Sequence, residues 1–225
     1  MIYRKPLNYI NQFLVHIRDK IQKLYLNSSF YDKKISKFNN SVFYYRPSAH
    51  LLSSIIEYQT KKYDIEDYTL DSVWNNDKIN ESDYKKLNNF FWFFSLDLRS
   101  SKHAVQSVIT NWINKNNRYN QKSWDFNITS KRIIAWLSNS KLSYEESDND
   151  YKKKFNKIII KQTNHLIYLT NKSKPLDDKI IGCTAIILVG LCFQNEKRYL
   201  TYGLELLDKI IKSSLDEYGF PISRN

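Results

Sequence analysis

Glycine is scarce in this sequence, with 4 residues among 225. Loops that cradle phosphate groups need several glycines at fixed spacing, and neither the P-loop nor the dinucleotide-binding fingerprint is present. The HExxH and GxSxG patterns are also absent, so the familiar metalloprotease and serine-hydrolase signatures are missing. The sequence therefore argues against nucleotide binding of these types, and we expect no cofactor.

Cysteine is rarer still, with 2 residues. Cys183 and Cys192 lie in one apolar run, which is not the spacing of a disulfide framework. There is no CxxC pair and the 4 histidines are scattered, which excludes a zinc-finger arrangement and predicts no metal site.

Long hydrophobic runs are also missing. The longest apolar stretch covers residues 180–193, whereas about 20 residues are needed to cross a bilayer, so we predict no transmembrane segment. The N-terminus carries basic residues without the apolar segment of a signal peptide behind them. This predicts a cytoplasmic location and leaves a periplasmic one open.

The N-terminal segment instead has the pattern of an amphipathic helix. Apolar residues recur there at steps of three and four, interleaved with basic ones: Ile10, Phe13, Leu14, Ile17, Ile21 and Leu24. This pattern favours a helix that docks on the body of the protein. The alternative is a basic helix that lies on a membrane surface. We interpret residues 1–80 as this helix followed by a loop-rich lead-in.

Residues 81–225 change character and predict a helical domain. Apolar periodicity and capping residues predict six helices: from Ser82 to Leu98, from Ser101, from Thr129 or Ser130, 149–170, 179–194 and 196–215. Short connections between them indicate antiparallel hairpins. Helix 179–194 is apolar nearly all round, so we expect it to be the most buried, and Gly182 and Gly190 permit close contact with its neighbours. An inner helix followed by an outer one is typical of a two-layered ring. The predicted fold is all-α, a partial (α/α) toroid.

The net charge of +12 is typical of a protein that binds polyanions, but its distribution weakens that inference. Of the 35 basic residues, 27 are lysine, whereas recognition of phosphates and bases favours the planar fork of arginine. The densest cluster follows one predicted helix and is interpreted as a solvated face: Lys152, Lys153, Lys154, Lys157 and Lys161. Nucleic acid is therefore not expected as a partner.

Trp124, Arg132 and Trp136 form the candidate binding cluster. Arg132 and Trp136 are four residues apart and share a helical face. A tryptophan ring can cover the C–H face of a sugar while a guanidinium pairs with its carboxylate or sulfate. The spacing alone leaves a second interpretation open, in which Trp136 is a core residue and Arg132 a structural partner.

Several segments occur in a recognisable order: Trp112-Ile113, 124–136, Asn164-His165-Leu166, 182–193 and 217–225. This order resembles the helical domain of heparinase II/III-type proteins, in the bacterial branch whose last motif is approximately DGGHxSRNP. The resemblance covers about residues 81–225. It implies the N-terminal part of a polysaccharide lyase, an acidic polysaccharide or oligosaccharide as partner, and a missing C-terminal β-sandwich region of the parent protein. It also adds Arg224 and Asn225 to the substrate-binding residues.

The resemblance is incomplete at the catalytic positions. Members of this family cleave by β-elimination, in which a base removes the C5 proton and an Asn or His neutralises the carboxylate. Asp178 and Lys179 stand where active lyases carry an Asn-His pair, and the chain ends before their catalytic tyrosine. We therefore expect no activity from this chain alone. A non-catalytic helical scaffold or glycan-binding module is the main alternative, and a nucleic-acid-binding protein is less favoured.

Overall fold

The computed structural model describes residues 4–37, 43–44, 80–96, 102–172, 176–214, 216 and 218–220. These ranges are helical and contain no β-strand, apart from an isolated bridge between Phe43 and Phe193. The all-α fold class is thus confirmed. The α-helices are α1 (Arg4–Leu26), α2 (Ser29–Ile35), α3 (Glu81–Asn89), α4 (Lys102–Asn116), α5 (Phe126–Ser138), α6 (Ser140–Ser143), α7 (Asn149–Thr170), α8 (Leu176–Cys192) and α9 (Lys197–Ser214). In the part of the chain that the structure describes, no helix is long and apolar enough to cross a membrane.

Helix α5 begins earlier than the sequence pattern predicts. The carboxylate of Asp125 accepts hydrogen bonds from the backbone N–H groups of Asn127 and Ile128, at 3.1 and 3.4 Å, and so caps the helix. Thr129 and Ser130, the predicted caps, are buried inside the helix. The Thr129 hydroxyl accepts a hydrogen bond from Arg132 Nη2 at 3.2 Å, and the Ser130 hydroxyl donates to the carbonyl of Phe126 at 2.7 Å.

Helix α3 ends where the pattern predicts continuation to Leu98. Phe90 has a φ of 58°, a left-handed conformation that is costly for a residue with a side chain. A 3₁₀ helix follows at Phe91–Ser95, and Leu98 lies outside the described residues. The buried ring of Phe90 packs against Trp136 at 5.1 Å between centroids, and this burial offsets the cost of the backbone conformation.

Helix α5, rather than the helix predicted at 179–194, is the most buried long helix described. Of its 13 residues, 11 are buried, because α3, α7, α8 and the 3₁₀ helix all pack against it. The predicted inner helix is α8, and it leaves Ile180 and Leu191 44% and 45% exposed. Helices α5, α7 and α9 pack against α8 but leave these two side chains uncovered.

The glycines of α8 allow its neighbours to approach closely, as predicted. A methyl group on Gly190 would collide with the backbone nitrogen of Leu200 in α9, and one on Gly182 would collide with the ring of Phe126 in α5. The two positions therefore face different helices. The connection of four residues between α8 and α9 makes this pair an antiparallel hairpin.

The N-terminal region differs from the expected lead-in. Helix α2 lies within a segment that had no helical prediction, and it packs against α7 through the buried residue Tyr31. Residues 38–42 and 45–79 of the predicted lead-in lie outside the described residues. Helix α1 is present, but its apolar side chains are exposed and it contacts the body chiefly through α2. The docking interpretation is thus wrong for the described part of α1.

Candidate anion-binding site

The three described residues of the predicted sugar-binding cluster lie in the core. Trp124, Arg132 and Trp136 are fully buried, so no surface presents them to a ligand. The structure selects the alternative that their spacing left open and corrects the prediction that they form a sugar-binding cluster. Arg224 and Asn225 lie outside the described residues, and their role stays a prediction.

The guanidinium of Arg132 is held by neutral oxygens. Its Nε donates to Gln162 Oε1 at 3.0 Å, and its Nη2 donates to Thr129 Oγ1 at 3.2 Å. Its Nη1 donates to the carbonyls of Asn88 at 2.8 Å and Ser123 at 3.0 Å. The Asn88 carbonyl belongs to the last turn of α3, where the helix dipole places partial negative charge. Burial lowers the pKa of Arg132 well below its usual range. Arg132 thus braces α3, α5 and α7 against one another.

The tryptophans around Arg132 are also occupied by core partners. The ring of Trp112 lies 3.9 Å from the guanidinium carbon of Arg132, a cation–π contact. The ring of Trp136 packs edge-to-face on Trp112 at 5.5 Å. Trp124 donates its indole N–H to the carbonyl of Asn116 at 3.0 Å. None of these rings has a free face for a sugar.

His165 is a second buried polar residue with a structural role. Its Nδ1 accepts the hydroxyl proton of Tyr31 at 2.6 Å, and its Nε2 donates to the carbonyl of Trp124 at 3.0 Å. Burial lowers the pKa of His165 to about 4, so the ring is neutral with its proton on Nε2. The histidine connects α2, α7 and the segment before α5.

A cavity of about 300 Å³ opens between α2, the C-terminal end of α4 and α7. This volume is at the lower end of the range for small-molecule sites. We call it the α7 pocket. Its lining combines basic, amide and apolar side chains: Asp32, Ser36, Ile113, Asn114, Asn117, Arg118, Lys154, Lys157, Ile158 and Lys161.

Three cations of the α7 pocket have no partner among the described residues. Arg118, Lys154 and Lys157 are exposed, and the described residues offer them neither an ion pair nor a hydrogen bond. The lysines share one face of α7 with Lys161, at the helical spacing of three and four residues. The sequence cluster is therefore divided, because Lys152 and Lys153 lie outside the pocket.

Lys161 differs from these three because its charge is compensated. Its side chain is 7% exposed, and its Nζ lies 2.5 Å from Asp32 Oδ1. It also donates a hydrogen bond to the carbonyl of Asn117. Asp32 is the one carboxylate in the lining, so the pocket keeps an excess of three positive charges. Ile113 and Ile158, which are both buried, give it an apolar floor.

The α7 pocket is equipped for binding rather than for proton transfer. Neither histidine nor cysteine is among its described lining residues, and the one carboxylate among them is paired with Lys161. Unpaired ammonium and guanidinium groups form charge-assisted hydrogen bonds with carboxylates, sulfates and phosphates. Within the described ranges, no group of three His, Cys, Asp or Glu side chains could hold a metal ion.

Comparison of the chain with protein-family models, with curated proteins and with solved structures finds no match. The resemblance to heparinase II/III-type proteins therefore stays a prediction. The lysine run of the α7 pocket is visible in the sequence, but the pocket itself is not, because Asp32 and Arg118 join it from distant segments.

Proposed function

We propose that this chain binds an acidic oligosaccharide through the α7 pocket. The observation that carries the proposal is the group of three unpaired cations, Arg118, Lys154 and Lys157, around one cavity. They suit the carboxylate or sulfate groups of such a sugar chain. The side-chain amides of Asn114 and Asn117 offer donors and acceptors for hydroxyl groups. The ligand class is the one that the sequence suggested, whereas the proposed binding residues are those of the α7 pocket.

The shape and lining of the pocket favour a sugar over a nucleic acid. None of the described residues that line the cavity is aromatic, so they offer no stacking surface of the kind on which proteins hold single-stranded bases. Three clustered cations also form a confined site rather than an extended track along a phosphate backbone.

We further propose that the helices form part of an (α/α) toroid, the helical part of a heparinase II/III-like lyase whose substrate is an acidic polysaccharide. The α8–α9 hairpin supports this arrangement. Helix α9 exposes a polar side with Glu205 and Lys209, as expected of the outer helix that follows an inner one in a two-layered ring. A parent enzyme would supply the C-terminal β-sandwich and its catalytic groups. The pocket on the helical part would then hold the polysaccharide.

The test is binding of heparin and hyaluronan oligosaccharides, measured by isothermal titration calorimetry against an RNA oligonucleotide of equal charge. We expect measurable binding of the sugars. Removing the three rim charges should weaken it roughly ten-fold or more, the sum of three solvent-exposed ion pairs. The triple variant is Arg118→Gln, Lys154→Gln and Lys157→Gln.

A matched variant removes the same charge from exposed positions outside the pocket: Lys153→Gln, Lys197→Gln and Lys209→Gln. It should retain nearly the affinity of the original chain. Equal losses in the two variants would mean unspecific attraction by net charge, and tighter binding of RNA would favour the nucleic-acid alternative. Incubation with either polysaccharide should give no rise in the ultraviolet absorbance of unsaturated uronates. A steady rise would show that the chain carries its own catalytic base.

A further inference from the structure

Helix α1 presents an apolar stripe that the described chain does not cover. Five side chains on one side of the helix are between 37% and 72% exposed: Phe13, Leu14, Ile17, Ile21 and Leu24. An amphipathic helix of a globular protein normally buries such a stripe against the core. This stripe is therefore a free surface with the composition of an interface.

The attachment of α1 to the body leaves the stripe pointing away. Leu26 is the buried residue at the C-terminal end of the helix. At the helical repeat, Leu26 lies about 180° around the axis from Ile17 in the stripe. Tyr25 adds ring contacts to Tyr31 at 5.1 Å and to Tyr168 at 5.9 Å. The helix is thus held by its last turn, while residues 11–20 are exposed on all sides.

The charges of α1 complement an anionic surface. Its sequence contains five Lys or Arg residues and one Asp. At the helical repeat, Arg18 lies about 100° to one side of Ile17 and Lys20 about 60° to the other, whereas Asp19 lies about 160° away on the polar face. Cations that flank an apolar stripe can reach lipid phosphates while the stripe enters the acyl region.

We propose that α1 binds the surface of an anionic lipid bilayer. The stripe inserts at the boundary of headgroups and acyl chains, and Arg18, Lys20 and Lys23 contact the lipid phosphates. Charge complementarity favours this occupant over a second copy of the chain, because paired α1 helices would place cationic flanks against each other. The site is separate from the α7 pocket.

The test is co-sedimentation with vesicles made of equal parts of phosphatidylcholine and phosphatidylglycerol, and with vesicles of phosphatidylcholine alone. We expect the chain to bind the anionic vesicles at least roughly ten-fold more tightly, because each basic residue near such a surface contributes several-fold. The double variant Ile17→Glu and Ile21→Glu should lose binding. The matched variant Gln12→Glu and His16→Glu adds the same two carboxylates at exposed positions outside the stripe and should retain most of it.

Four results would overturn the proposal. Equal losses in both variants would mean that charge alone is responsible, and equal binding to both kinds of vesicle would remove the anionic requirement. A dimer in light scattering that dissociates on Ile17→Glu and Ile21→Glu would identify a second copy as the occupant. Since the stripe is exposed, these substitutions should leave the thermal unfolding midpoint unchanged. A clear fall in that midpoint would show that the stripe packs within the chain.

Discussion

Two cationic regions of this molecule have opposite relations to their surroundings. The guanidinium of Arg132 is fully buried and donates to four oxygens of the protein. Arg118 and Lys157 are exposed and lack partners in the described residues. A cation whose donors are already bonded stabilises the fold, whereas one whose donors are free can bind a ligand. Residue type and spacing do not distinguish the two cases.

The two regions meet in helix α7, at the neighbouring residues Lys161 and Gln162. Gln162 faces the core and accepts the hydrogen bond from Arg132 Nε. The adjacent Lys161 lines the α7 pocket and pairs with Asp32. One step along a helix rotates the side chain by about 100°. The same helix therefore braces the core with one face and forms the binding site with the next.

The largest expected effect concerns Arg132 in the core and the stability of the fold. Replacing Arg132 by methionine leaves the carbonyls of Asn88 and Ser123 without their donor in a buried site. We expect the free energy of unfolding, measured with urea, to fall by about 2–5 kcal/mol, because each buried carbonyl left without a donor costs about 1–3 kcal/mol. An unchanged unfolding energy together with lost oligosaccharide binding would instead restore Arg132 as a ligand-binding residue.

A second prediction concerns acid stability. His165 is neutral in the folded chain with a pKa of about 4 against an ordinary value of 6.5. The unfolded chain therefore binds more protons between these two values, so stability falls as the pH is lowered from 6.5 towards 4 and levels off below. The loss should be about 3 kcal/mol. This loss should be missing from the His165→Phe variant. The check is the pH dependence of the urea unfolding midpoint of both chains between pH 6.5 and 4. An equal acid loss in the variant would assign it to other groups.

The smallest expected effect concerns the affinity of the α7 pocket. Asp32→Asn removes the one carboxylate of the lining and leaves Lys161 uncompensated. Oligosaccharide affinity, measured by calorimetry, should rise a few-fold, since a nearby negative charge is lost from an anion site. Asp150→Asn, which makes the same charge change at an exposed position of α7 outside the pocket, should have little effect. Unchanged affinity in Asp32→Asn would place the ligand elsewhere.

Much of the helical fold could be predicted from local patterns. The bounds of α7, residues 149–170, agree with the prediction, because Asp148 caps its first turn by accepting from the Tyr151 N–H at 2.7 Å. The break at Phe90 could not be predicted, since its left-handed conformation depends on burial of its ring. The identity of the most buried helix also depends on which neighbours cover it, and hydropathy alone favoured α8 over α5.

The site was harder to predict than the fold. Trp124, Arg132 and Trp136 have the residue types of a sugar site, but their burial depends on partners in α3, α4 and α7. Lys154 and Lys157 were visible as part of a basic cluster, whereas Arg118 and Asp32 reach the pocket only after the chain has folded. No local pattern encodes such a convergence.

The contact between Tyr31 and His165 has a consequence for the order of folding. These residues are 134 positions apart in the chain, so their hydrogen bond closes a large loop. Closing this loop has an entropic cost that the formation of a single helix does not incur. Contacts of such long range form slowly compared with those between neighbouring helices. Because α2 also brings Asp32 and Ser36 to the pocket wall, the pocket is complete only once this loop has closed. Ligand binding during refolding would therefore mark the arrival of the N-terminal segment.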